Sequence, residues 1–429
     1  MSKIRVQAEV CMKLYLLGLL CILAPGLQAE TPEETVPCDS QSILAAHGLA
    51  VLRASAETTE NPTFSPEGLR SVFEVLDWGA SENARRDIAE YYLEQYRNGD
   101  DETASFRLAD CAWNTARTSS DAEITASVTD HMFLRQGNAP LQDFLDRIGE
   151  HERTTEIHSI PDEGFEDWLQ SVNRDIEKST GGLIKKPLAL EPSTEFAVSN
   201  IMWFEAPWLS PFDESKTQTA DFRLSESESV TVEMMASDAR NVLYSEDGEF
   251  TRVLLPYEDR DHYMLLLLPN EDSSKVTGEV QTWLDQLDPR ALGRRDFFSG
   301  ASDHPVIDWD GMAGRAVVFL PRFDVAGNID ISDHMKATGF GTLYGDSTAF
   351  PGLTGNPLIL SRVTQDIRVR THEEGSAAAA VTTAAMTRSG GLETAREIRF
   401  DRPFLFVIGQ ASSGAIVAMG VVGNPARHE

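Results

Sequence analysis

Lysine is scarce in this chain. Only eight of its 37 basic residues are lysines, and 68 aspartates and glutamates oppose them, for a net charge of −31 over 429 residues. No basic cluster interrupts that surplus, so a polyanion such as DNA or RNA would be repelled and nucleic-acid binding is excluded first. Cysteine is nearly absent: Cys11, Cys21, Cys38 and Cys111 stand far apart, with no C-x-x-C pair. The nine histidines include no H-E-x-x-H and no other paired spacing, so neither a metal site nor a cofactor is expected. There is no G-x-S-x-G elbow and no Walker loop, and Gly339, Gly341 and Gly345 miss the dinucleotide spacing by one residue. An exported hydrolase with scattered catalytic groups is kept only as the weaker alternative, because triads are assembled by fold and not by chain order.

What is present is an ordinary globular composition, 41% hydrophobic and 24% charged, which excludes disorder, collagen-like repeats and a multi-pass membrane protein. At the start, Lys13 precedes an apolar run from Leu14 to Leu23, and Gln28-Ala29 supplies a small residue before Glu30. A basic flank, a short apolar stretch and a small-residue cleavage site describe a secretory signal peptide over residues 1–29. The run is too short to span a bilayer. Cleavage would remove Lys3, Arg5, Lys13 and Glu9, leaving a net charge of −33 on a soluble, secreted or periplasmic chain without membrane attachment. Cys38 and Cys111 remain, either as one disulfide or as two separate thiols; export permits both.

From residue 40 onward the chain mixes helices and strands without repeats or linkers, and one large domain over residues 30–429 is expected. Helices are predicted over residues 40–55, 66–78 and 82–96. Phe165, Trp168, Leu169, Val172 and Ile176 follow the spacing of one buried helical stripe. Strand signals fall at Phe196–Phe204, Thr251–Leu255, His262–Leu268, Ala316–Phe323, Leu358–Arg370, Ile398–Ile408 and Gly414–Val422. Helices mostly precede strands, which points to an α+β fold and not to an alternating doubly wound sheet.

The informative stretch is Thr371–Glu397, between two of those strand signals. As a hairpin loop it would be far longer than the usual two to five residues, so it is either a flexible Ala/Thr linker or functional. Ser376 to Thr387 carries no charge, and its side chains are small or β-branched. Alternate residues Ser376, Ala378, Ala380, Thr382 and Ala384 would share one face of an extended strand. All are small enough to pass over a core, and Gly375 before them is a candidate backbone hinge.

These residues resemble the hinge and reactive-centre loop of the serpin family. Glu373, Glu374, Gly375, Ser376, Ala377, Ala378, Ala379 and Ala380 are similar to the hinge of inhibitory members. The run from Ile398 through Arg402-Pro403 to Ile408 resembles the family's C-terminal signature. Phe196–Phe204 with Trp208 and Pro211-Phe212 resembles its central strand and the tryptophan after it. Asn61–Pro66 and Met419–Val422 with Asn424-Pro425 complete five matches in order over most of the mature chain. The resemblance implies a single domain of three sheets and eight or nine helices, with an exposed loop at about 371–397.

It also implies a function. The loop would be bait for a serine or cysteine protease, which attacks one bond and is trapped as an acyl-enzyme when the cut loop inserts into the large sheet. The partner would be the target protease, held covalently by a monomeric inhibitor. Small hinge residues favour inhibition over a carrier, chaperone or storage role, because a bulky side chain would stall insertion into a close-packed interior. Ala377 departs from the family pattern, standing where glutamate is frequent. In the cluster beneath the opening region Ser65 and Asn200 match the pattern, whereas Gly68 and Gln365 replace a serine and a histidine. Counting the family's usual spacing from Glu373 puts the cleaved bond at Ser389–Gly390, which suits an elastase-like pocket. One residue earlier, Arg388–Ser389 offers the only basic residue of the central loop to a trypsin-like pocket, and it is preferred. Counting back from the downstream signature moves the bond towards Leu392, and Met386 is a further candidate.

Overall fold

The computed structural model describes residues 40–94, 125–150, 154–185, 190–246, 248–270, 280–287, 313–337, 341–376, 395–412 and 414–427, with Leu188, Leu292 and the pairs 298–299 and 306–307. The chain opens on helices α1 (Ser40–Ala56), α2 (Pro66–Gly79) and α3 (Glu82–Glu94), with the short strand β1 (Thr63–Phe64) between the first two. Next come β2 (Thr125–Arg135), α4 (Gln142–Glu150), β3 (Thr154–Ile160), α5 (Phe165–Ser179) and β4 (Phe196–Pro207). A run of strands follows: β5 (Gln218–Arg223), β6 (Ser229–Ala236), β7 (Arg240–Glu246), β8 (Phe250–Pro256) and β9 (His262–Pro269). After α6 (Val280–Gln286) come β10 (Phe298–Ser299), β11 (Val306–Ile307), β12 (Ala313–Pro321), β13 (Phe323–Asp330) and α7 (Ile331–Ala337). The C-terminal part holds β14 (Leu360–Thr371), β15 (Gly375–Ser376), β16 (Arg396–Arg399), β17 (Phe404–Gln410) and β18 (Ile416–Val422). The described residues thus contain seven α-helices and three sheets, an α+β arrangement.

Local chemistry accounts for several of these boundaries. Ser65 caps α2 by accepting from the Gly68 amide, and Pro66 supplies a preset φ at its first turn. Helix α5 carries Glu166 and Asp167 in its first turn and Lys178 in its last, matching the helix dipole. Strands β9, β17 and β18 are buried along their whole length, which is why they read as unbroken apolar runs. Two predicted strands are each broken in two. Ala316–Phe323 divides at Arg322, where the chain leaves one sheet for the other, and Ile398–Ile408 divides at Asp401–Pro403, where proline cannot donate to a ladder.

The largest sheet runs β1-β18-β17-β9-β8-β7-β12-β6-β5, with β16 added parallel to β12. The second runs β13-β14-β4-β2-β3, with β15 attached to β4. Its centre is a parallel seam in which β14 pairs with β4 from Leu360 opposite Phe196 to Val369 opposite Phe204. Alternation along β4 divides two cores. Val198, Met202 and Phe204 pack inward against the large sheet and the helices, while Ala197 and Ile201 lie under Phe165, Val172 and Ile176 of α5. The predicted apolar stripe of α5 is therefore the one that covers the outer face. Among the described residues no helix is long and apolar enough to cross a membrane.

Candidate functional site at the end of the parallel seam

Strands β14 and β16, which flank the charge-free segment, belong to different sheets, so that segment connects two sheets and is not a hairpin loop. Its first residues are anchored. Beyond Thr371 the chain turns tightly, with the His372 amide donating to the Gly375 carbonyl at 2.9 Å. It then runs back along β4, with Gly375 opposite Pro207 and Ser376 opposite Ala206. This antiparallel start lies just past the point where β14 and β4 part at Val369 and Phe204.

Each anchoring residue has a definite partner. Glu373 is buried and receives two hydrogen bonds from Arg322 Nε, at 2.9 and 2.8 Å, and another from the Thr217 hydroxyl. Burial pushes its carboxyl up, but the Arg322 and Thr217 bonds outweigh that and hold it below its ordinary value. The Glu373 and Glu374 carbonyls accept from the Phe212 and Trp208 amides, both at 2.8 Å. Trp208 Nε1 donates to the His372 carbonyl at 3.1 Å, and its ring stacks on Tyr257 with centroids 4.5 Å apart. Tyr257 is fully buried, and its hydroxyl meets Ser376 Oγ at 2.9 Å. Burial raises the phenol far above its ordinary value, so it stays a neutral hydrogen-bonding group.

Gly375 is needed for close approach. A Cβ there would stand 2.2 Å from the Ala206 carbonyl oxygen and 2.7 Å from Pro207 Cα, both backbone atoms that cannot swing aside. The described positions with positive φ do not include Gly375, so what the structure requires of this glycine is close fit and not left-handed backbone freedom. Gly375→Ala is expected to break the β15–β4 pairing, lower apparent stability by about 1–3 kcal/mol and alter Trp208 fluorescence. Unchanged emission and an unchanged melting midpoint would refute that requirement.

Deeper along the seam, Ser65, Asn200 and Gln365 lie in one hydrogen-bonded group. Gln365 Oε1 accepts from the Ser65 amide at 2.6 Å, and its Nε2 donates to the Ser65 carbonyl at 2.9 Å and to Asn200 Oδ1 at 3.2 Å. Ser65 Oγ also donates to the Val417 carbonyl at 2.7 Å, tying α2 to the large sheet. Gly68 explains the altered composition: a Cβ there would lie 2.2 Å from Asn200 Oδ1 and 2.7 Å from Gln365 Nε2. Glycine and glutamine are therefore complementary, the absent side chain leaving room for the longer amide. Sequence reasoning missed two members. Buried Asp130 accepts from Asn200 Nδ2 at 2.7 Å and from the Ser71 hydroxyl. Burial raises Asp130 to about 6, against the lowering effect of those two bonds. A lone acid in a polar strand carries no local motif, so no sequence signal marked it.

Ala377, Ala378, Ala379, Ala380, Arg388, Ser389 and Gly390 lie outside the described residues, as do Cys38, Cys111 and residues 1–29.

Comparison with known proteins agrees with this architecture. A family model described as "Serpin (serine protease inhibitor)" matches residues 44–425. The chain is 26% identical over 434 residues to Alpha-1-antitrypsin 1-4 of Mus musculus, covering 97% of this chain and 98% of that one. It is 25% identical over 439 residues to human neuroserpin, covering 95% and 96%. The structure of human thyroxine-binding globulin with thyroxine is similar at a TM-score of 0.71 and 24% identity, over 91% of this chain and 99% of that one. With a single family model spanning nearly the whole described chain, the protein belongs to the serpin family.

Proposed function

We propose that this serpin is an exported inhibitor of serine proteases that traps its target by loop insertion, and that residues 1–29 are the signal peptide of a mature chain 30–429. The observation that carries the reading is the antiparallel start of β15 at the mouth of the parallel seam. Continued inward, the pairing of Ser376 with Ala206 would bring Ala378 opposite Phe204, Ala380 opposite Met202, Thr382 opposite Asn200 and Ala384 opposite Val198. Directly opposed residues of an antiparallel pair share a face, so these small side chains would enter over the inner core. An inserted strand would replace one parallel seam with two antiparallel ones, a pairing slightly more stable per residue. That gain is the driving force available for dragging an attached protease along the sheet.

The reactive bond in this reading is Arg388–Ser389, within a loop of about 371–397, with Ser389–Gly390 as the second choice. The hinge is Glu373 to Ala380, and Ser65, Asn200 and Gln365 gate the opening of the sheet. The inhibitor acts as a monomer on a trypsin-like enzyme. Incubation with trypsin is expected to yield a denaturant-resistant band at the summed mass and a released peptide beginning at Ser389. The same band formed with elastase alone, with a peptide beginning at Gly390, keeps the mechanism and moves the bond. Cleavage without a complex across a panel of serine and cysteine proteases would replace it with a non-inhibitory role, for which the similarity to a thyroxine-bound globulin is the supporting observation.

A further inference from the structure

The outer face of the six-stranded sheet holds a second polar cluster, remote from the hinge. Strands β2 and β3 run parallel, with His131 opposite Glu156 and Phe133 opposite His158. Side chains two apart on a strand share a face, so His131, Glu156 and His158 converge on the side that α5 covers. His131 is buried and Glu156 is exposed, with His158 between them. His131 Nδ1 lies 3.0 Å from His158 Nε2, and Glu156 Oε2 lies 3.5 and 3.6 Å from those same two nitrogens.

These three separations are close to the edges of a coordination tetrahedron. Zinc bonds of about 2.0–2.1 Å to nitrogen imply ligand–ligand distances of about 3.3–3.4 Å. The same nitrogens that meet each other are the ones nearest the carboxylate, so the three donor atoms already lie within ligand–ligand range, and an ion would replace the hydrogen bond between the two imidazoles. Packing supports the ligand geometry. The His158 ring stacks on Phe133 at 4.9 Å, and Phe133 meets Trp168 of α5 edge-on at 6.1 Å. Burial, reinforced by His158, lowers His131 to about 4, which keeps its imidazole neutral and able to coordinate. Burial likewise lowers His158, opposed by the negative charges of Glu156 and of Asp175 on α5. Those charges would favour a bound cation.

We infer that His131, His158 and Glu156 form a binding site for one divalent transition-metal ion of the zinc type, with water completing the tetrahedron, that staples β2 to the edge strand β3 beneath α5. The inference is independent of inhibition. It escaped sequence reasoning because the ligands come from two strands and have no metal-binding spacing between them.

Titration of the purified protein with Co(II) tests it, because tetrahedral cobalt absorbs strongly in the visible. One equivalent is expected to give that spectrum, and added Zn(II) is expected to abolish it. His158→Phe keeps the ring against Phe133 but removes the ligand nitrogen, and exposed Glu156→Gln leaves the fold undisturbed. Both variants should weaken Co(II) binding by about 100-fold or more, since loss of an outer-shell partner alone costs 10–100-fold. No tetrahedral spectrum in the parent protein, or equal binding by parent and both variants, would overturn the site.

Discussion

Ala378→Glu is expected to turn the protein from a trap into a substrate. In the continued register residue 378 comes to rest opposite Phe204, which is buried within the apolar inner core, and the His262 ring near Phe204 is already paired with Asp259. Placing an unpaired carboxylate there costs about 3–5 kcal/mol. At 1.36 kcal/mol per tenfold, such a penalty slows insertion by about 150- to 5,000-fold. Hydrolysis of the acyl bond, whose chemistry is unchanged, then wins. The protease should cut the variant at the same bond and emerge active, so that the covalent band disappears and many inhibitor molecules are consumed per enzyme. Ala378→Ser, small and neutral, should still trap. Full complex formation by Ala378→Glu would mean that the pairing seen at Ser376 does not continue down the sheet, and the proposed mechanism would lose its principal support.

Asp130→Asn is expected to stabilise the protein, and only above mildly acidic pH. Burial places the native carboxyl at about 6, against an ordinary value of 3.8. A carboxyl raised in the folded state contributes its full stability below its unfolded value and loses it as pH rises through the folded one. The penalty therefore develops between about pH 4 and pH 6 and, at 1.36 kcal/mol per unit, reaches about 3 kcal/mol as an upper bound. Asparagine does not titrate. Its Oδ1 can accept from Asn200 and its Nδ2 can donate to Ser71, so the local network stays satisfied. At pH 8 the variant should melt roughly 5 °C higher than the parent, a shift appropriate to 2–3 kcal/mol in a large domain. At pH 4 the two should coincide. A constant difference across that range would show that Asp130 does not carry a raised pKa. Asp366 on β14, raised to about 7 by burial against an Asn328 hydrogen bond, acts in the same direction, whereas buried His47 and His131, lowered to about 3 and about 4, act in the opposite one and contribute equally to parent and variant.

How much could be read without the structure differs from element to element. Helices α1, α2 and α5 and strands β4, β8, β9, β14 and β18 match predicted segments to within a few residues, because each is long, apolar on at least one face and bounded by its own chemistry. Strand β3 was missed. Its sequence, TTEIHSI, is polar at most positions, and only its pairing with β2 and its cover by α5 make it a strand. Strands β5 and β6 were missed for a related reason: β5 buries only Phe222 and β6 is buried mainly in its second half, so neither shows a sustained alternation.

The site divides along the same line. Sequence alone determined the family, the charge-free run and the smallness of alternate residues from Ser376, because those properties belong to individual side chains and to their spacing along one chain. Tertiary structure decided everything that depends on what lies opposite. It set Gly375 against the Ala206 carbonyl, joined Ser376 to Tyr257, fitted Gln365 into the space that Gly68 leaves, buried Asp130 among Ser71 and Asn200, and gathered His131, Glu156 and His158 from two strands. Those partners are tens to hundreds of residues apart, and their contacts arise from sheet register, which no local pattern encodes.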